Sequence, residues 1–67
     1  MKIDKKKYRQ LVKTYKNKLE LSLDNFRWEK CHYAPDLKFI ENPVIMFTEN
    51  KFIEIIGKKK TYYLRIK

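Results

Sequence analysis

Between Val44 and Lys67 the chain has little freedom in how it folds. Val44-Ile45-Met46-Phe47-Thr48, Lys51-Phe52-Ile53-Glu54-Ile55-Ile56 and Thr61-Tyr62-Tyr63-Leu64-Arg65-Ile66-Lys67 are runs of β-branched and aromatic residues. Runs of this kind read as strands. Glu49-Asn50 separates the first two as a two-residue hairpin loop, and Gly57-Lys58-Lys59-Lys60 separates the last two, with the chain's single glycine where a tight turn would use it. Pairing Thr48 with Lys51 and Ile56 with Thr61 fixes which side chains share a face, because side chains alternate across a strand. Val44, Met46, Ile53, Ile55, Tyr62, Leu64 and Ile66 then form an apolar face that must be core. Ile45, Phe47, Phe52, Glu54, Ile56, Tyr63, Arg65 and Lys67 form a mixed, aromatic and basic face. A three-stranded meander over about residues 43–66 is the framework.

The N-terminal part supplies a helix to cover that core. Asp4 is a suitable N-cap, and Tyr8, Leu11, Val12 and Tyr15 recur at helical spacing, so a helix is expected over about residues 4–17. Lys5, Arg9, Lys13 and Lys16 fall together on one flank of it as a cationic ridge. Residues 18–33 read as a hairpin. Leu19, Leu21 and Leu23 alternate with polar residues, Asp24-Asn25 makes the turn, and Leu23 and Leu21 face Phe26 and Trp28 across it. That register has one defect, Glu20 opposite Glu29. The competing reading extends the helix to about residue 24, since Leu, Glu and Lys are good helix formers; the hairpin is favoured. Residues 31–43 are irregular and bracketed by Pro35 and Pro43, with Leu37, Phe39 and Ile40 as a short edge piece.

The expectation is a single α+β domain over residues 1–67, with an N-terminal helix packed on an antiparallel sheet of three to five strands. Counting the hairpin, a helix followed by five strands is similar in element order to the small open barrels of Sm-like and SH3-like proteins. The resemblance stops at element order. The glycines and motifs of the RNA-binding Sm-like proteins are missing, so no residue roles carry over.

At 67 residues, one core supplies only about 3–5 kcal/mol, and chains of this size commonly add a staple or a partner. One cysteine, Cys31, cannot form an intrachain disulfide, and with the lone His32 it cannot complete a four-ligand zinc site. A homodimer is the remaining common aid. No metal or cofactor is expected, since the chain has no HxxxH, CxxC, acidic loop or glycine-rich phosphate loop. No apolar stretch approaches the ~20 residues of a membrane span. The charged start lacks the apolar run of a secretory leader. A reducing, cytoplasmic setting fits this cysteine usage.

Charge points to the partner. Residues 1–18 carry a balance of +7, residues 19–50 of −3 and residues 51–67 of +5, for a net +9. Two basic ends flanking an acidic middle favour a polyanion, and the composition suits a small phage or mobile-element regulator. Lys58, Lys59 and Lys60 at a turn can reach phosphates. Lys5, Arg9, Lys13 and Lys16 can lie along them, and Arg65 and Lys67 add to the surface. Phe47, Phe52 and Tyr63 make either a base-stacking platform or a partner-docking face. With 14 lysines and three arginines, backbone contact is expected rather than bidentate base readout. The leading expectation is therefore a non-catalytic nucleic-acid-binding protein, for DNA or RNA. Its rival is an inhibitor or adaptor that docks an acidic host protein through the apolar–aromatic face. A third reading, a small ribonuclease toxin, would use His32 with Glu29 as acid–base groups. Cys31 and His32 are adjacent, which seldom brings a nucleophile and its base together, so no catalytic residue is assigned.

Overall fold

Asp4 starts the helix as expected of an N-cap. Its backbone is extended, and its carboxylate accepts the Lys7 N–H at 2.7 Å. In the computed structural model, which describes all of Met1–Lys67, α1 spans Lys5–Thr14 and ends earlier than residue 17. Thr14 turns its hydroxyl back onto the Gln10 carbonyl, Tyr15 donates its N–H to Leu11, and Lys16–Lys18 tighten into a 3₁₀ turn. That turn releases the chain into a strand and removes the longer-helix alternative.

The strands are β1 (Lys2–Ile3), β2 (Leu19–Ser22), β3 (Glu29–Lys30), β4 (Val44–Thr48), β5 (Phe52–Ile56) and β6 (Thr61–Ile66). They form one open sheet in the order β1-β4-β5-β6-β2-β3, with every pairing antiparallel. β1 and β3 are its edges and do not pair, so the sheet does not close into a barrel. The fold is α+β, a helix on a sheet, with six strands rather than three to five. The additional strand is β1, where Lys2 and Ile3 pair with Met46 and Ile45.

One face of the sheet is core. Ile45, Ile53, Ile55 and Leu64 are buried there together with Leu19. Tyr8 and Leu11 of α1 and Cys31 and Leu37 of the following irregular segment complete the cluster. Tyr8 also donates its hydroxyl to the Pro35 carbonyl at 2.8 Å, which ties the helix to that segment. Burial raises the Tyr8 phenol well above its ordinary value. It therefore stays a neutral donor.

Two turns differ from the sequence reading, and each changes which side chains meet. Thr48 pairs with Phe52, not Lys51, because the β4–β5 turn has three residues. Lys51 N–H donates to the Thr48 carbonyl, and Lys51 then adopts φ 60°. A β-turn followed by a left-handed residue is the usual three-residue hairpin. The extra residue slips β4 by one position and reverses its faces. Ile45 and Phe47 pack toward the core, while Val44 and Met46 turn outward. Phe47 thus leaves the aromatic face to which the sequence assigned it.

The second difference lies between β2 and β3. Leu21 pairs with Glu29, so the connection runs from Leu23 to Trp28 instead of being the Asp24-Asn25 pair. Asp24 organises it: one carboxylate oxygen accepts the N–H groups of Phe26 and Arg27 and the Ser22 hydroxyl, each at 2.9 Å. Asn25 takes φ 61°. Leu23 and Phe26, expected to face each other across a two-residue turn, are both exposed. The Glu20–Glu29 clash disappears, since Glu20 lies between Lys30 and Arg65 on its two neighbours.

Candidate nucleic-acid interface

Ion pairing decides which cations are available. Only three ion pairs form: Lys38–Asp36, Arg65–Glu20 and Lys67–Glu20. The other fourteen of the seventeen basic side chains have no carboxylate partner. Lys5, Arg9, Lys13, Lys16, Lys58, Lys59 and Lys60 are among those fourteen, and all seven are exposed.

Arg65 is differently employed. Its Nε donates to Glu20 Oε1 at 2.6 Å, and its guanidinium lies over the Trp28 ring, 4.3 Å from the centroid. The hydrogen bond from Arg65 holds the Glu20 carboxyl below the usual range, and Lys67 at 3.5 Å adds to it. Arg65 is therefore a structural clamp across β6, β2 and the Trp28 loop. Lys67 stays largely exposed despite its pairing.

Two groups of cations lie at opposite poles of the sheet. At one pole the Lys67 N–H donates to the Lys18 carbonyl and the Ile66 N–H to that of Lys51. Lys51 also sits over the Tyr15 ring, 5.4 Å from its centroid. Lys16 in the adjoining turn thus joins Lys18, Lys51 and Lys67. Lys18 and Lys51 were not singled out from sequence, because only the β6 pairings bring residues 18, 51 and 67 to one end. The Lys58–Lys60 loop caps the other pole. Six residues of β6 separate the two poles, roughly 20 Å at strand rise. The ridge on α1 ends at the turn that leads into the first pole.

The Lys58–Lys60 loop is tightly built. Gly57 N–H donates to the Lys60 carbonyl at 2.8 Å. A Cβ on Gly57 would lie 2.7 Å from Ile40 Cγ2 and 3.0 Å from the Lys60 oxygen. Glycine is needed for this close approach; its φ is not positive. The three lysines rim a cleft of about 350 Å³ whose apolar wall is Phe39, Ile40 and Tyr62. Leu37–Phe39 is a 3₁₀ turn instead of an edge strand; it buries Leu37 and turns Phe39 outward.

The aromatic side of the open sheet face carries Phe52 and Tyr63 as expected, 6.1 Å apart by ring centroid, with Trp28 in place of Phe47. Trp28 meets Phe52 edge-on at 5.9 Å. All three are half-buried and spend much of their surface on one another and on Arg65. The rings that face solvent most freely lie elsewhere: Tyr33 is 92 % exposed and Phe39 81 %. The one sequence signal for this was that a short Leu37-Lys38-Phe39-Ile40 segment cannot bury every apolar side chain at once.

Cys31 is buried, and burial pushes its thiol up, away from the thiolate. His32 is exposed and makes no side-chain hydrogen bond. No group of three or more His, Cys, Asp or Glu residues is placed to hold a metal ion. No helix is long and apolar enough to cross a membrane. Comparison of the chain with protein-family models, with curated proteins and with solved structures found no match.

Proposed function

We propose that this chain is a small, non-catalytic nucleic-acid-binding protein that acts mainly through phosphate contacts. The observation that carries this reading is the surplus of unpaired, exposed cations, fourteen of seventeen, on a molecule of 27 × 24 × 21 Å. A protein whose positive charge served its own stability would pair much of it internally. Here the unpaired cations are all exposed, with groups of them at two poles and along a helix flank, open to a polyanion. Each phosphate neutralised releases counterions, and this is the main drive of sequence-independent binding. The abundance of lysine over arginine fits point-charge contact with the backbone.

The test is a fluorescence-anisotropy titration with labelled single-stranded and duplex DNA and RNA over a salt series. Engagement of about six phosphates gives a log–log salt slope on the order of −4 to −6. Absence of binding at low salt would overturn the proposal. A second reading, docking of an acidic protein, is favoured by one observation: Val44, Met46, Phe52 and Tyr63 share the sheet face opposite the core and are partly accessible. That reading predicts that substitutions on this face, and not at the lysines, abolish partner binding.

A further inference from the structure

We propose that the groove walled by Tyr33, Phe39 and Tyr62 and rimmed by Lys58, Lys59 and Lys60 selects single-stranded nucleic acid. Unpaired bases lie on the aromatic rings and the adjoining phosphates on the lysines. This deepens the nucleic-acid reading above and rests on it.

Two adjacent clefts make the groove. The first, rimmed by the lysines, and a second of about 310 Å³ containing Tyr33 share Phe39, Ile40 and Tyr62 as a common wall. Aromatic faces therefore continue directly from the cationic rim. Asp36 caps the 3₁₀ turn by accepting the Lys38 N–H at 3.1 Å, and the Ile40 N–H closes onto the Leu37 carbonyl. A 3₁₀ turn advances about 120° per residue, so with Leu37 anchored in the core Phe39 must project away from it. The close seating of Gly57 on Ile40 fixes the lysine loop against this turn. Lys38 Nζ lies over the Phe39 ring, 5.3 Å from its centroid, so a base stacks on the opposite face.

The chemistry discriminates between partners. Every base presents a π-face, so stacking on an aromatic side chain tolerates any sequence. In a duplex those faces are covered by neighbouring base pairs, which leaves only the lysines to act. Glu41 lies in the wall of the first cleft and Asp36 in that of the second. These carboxylates repel phosphate and confine it to the lysine rim, opposite the bases. They also count against an anionic lipid surface.

The test measures anisotropy with labelled twelve-residue oligo(dT) and oligo(U) and with a duplex of equal length, for the wild-type chain, Phe39→Ala and Tyr33→Ala. Both side chains are exposed, and unchanged thermal melts will confirm that the variants fold. The expected result is that each variant binds the single strands about five- to one-hundred-fold more weakly, with duplex affinity and salt slope unchanged. Equal single-strand affinity for wild type and variants would overturn the groove assignment and leave the nucleic-acid reading standing. Equal losses on single strand and duplex would do the same. Phosphatidylserine-vesicle binding that Phe39→Ala and Tyr33→Ala weaken, with single-strand affinity unchanged, would assign the groove to membranes and overturn the proposal. No binding of any oligonucleotide by the wild-type chain would overturn both readings.

Discussion

Replacing Lys58, Lys59 and Lys60 with glutamine removes three exposed cations that have no ion-pair partner and no part in the core. Stability should therefore be unchanged, and binding should change in a way that salt reveals. Each phosphate contact contributes about 0.7 to the log–log salt slope on a single strand, so three contacts contribute about two. Between 1 M and 0.1 M salt that amounts to about two decades of affinity. The triple variant should thus bind a single-stranded oligonucleotide about one-hundred-fold more weakly than wild type at 0.1 M salt, and the two should converge near 1 M. Anisotropy titrations at four or five salt concentrations give both slopes. An unchanged slope would mean that the loop does not touch phosphate. A loss of affinity that stayed constant across the salt range would mean that the variant had damaged the fold or an uncharged contact, and the counterion argument would fail.

Other consequences concern stability. Leu64 is fully buried at the middle of the sheet, so Leu64→Ala should remove about 2–5 kcal/mol. That rivals the whole stability of a core this small, and circular dichroism should find the variant largely unfolded. Gly57→Ala puts a methyl group 2.7 Å from Ile40 Cγ2 and should destabilise by about 1–3 kcal/mol; adding Ile40→Ala should recover part of that loss in denaturant melts. The Asp24 carboxyl is held below the ordinary aspartate range chiefly by the Arg27 and Phe26 N–H groups. Its ionised form is favoured in the folded state, so its contribution is complete above about pH 4 and is lost as pH falls through the depressed value. Thermal melts from pH 2 to 6 should show a steeper acid limb for wild type than for Asp24→Asn.

The helix start, the β5–β6 register and the core positions of Ile53, Ile55 and Leu64 could be read from periodicity and capping. The β4 register could not. Glu49-Asn50 resembles a two-residue loop, and only the left-handed backbone of Lys51, a lysine where glycine or asparagine is the usual signal, shows that the turn takes three. A one-residue slip put Ile45 and Phe47 on the core face in place of Val44 and Met46 in a single step. The Trp28 loop was missed for a related reason. Asp24 does not turn the chain in two residues but caps a longer excursion with three hydrogen bonds, a use that spacing alone does not distinguish. The individual lysines were visible in sequence. Their grouping was not, because it depends on β6 lying between β5 and β2.

That placement of β6 also sets the order in which the molecule can assemble. β4 and β5 form a local hairpin, and β2 and β3 another, but no strand pairing joins the two until β6 enters between them. Arg65 meets Glu20 across 45 residues of chain, so closing this contact carries a loop-closure cost that the local hairpins avoid. Folding should be slow for a chain of this size, with a transition state that depends on β6 docking. In a chain still being synthesised, Leu21 and Ile53 lack their shared cross-strand neighbour until Leu64 is made. β6 is the strand that turns two hairpins into a sheet.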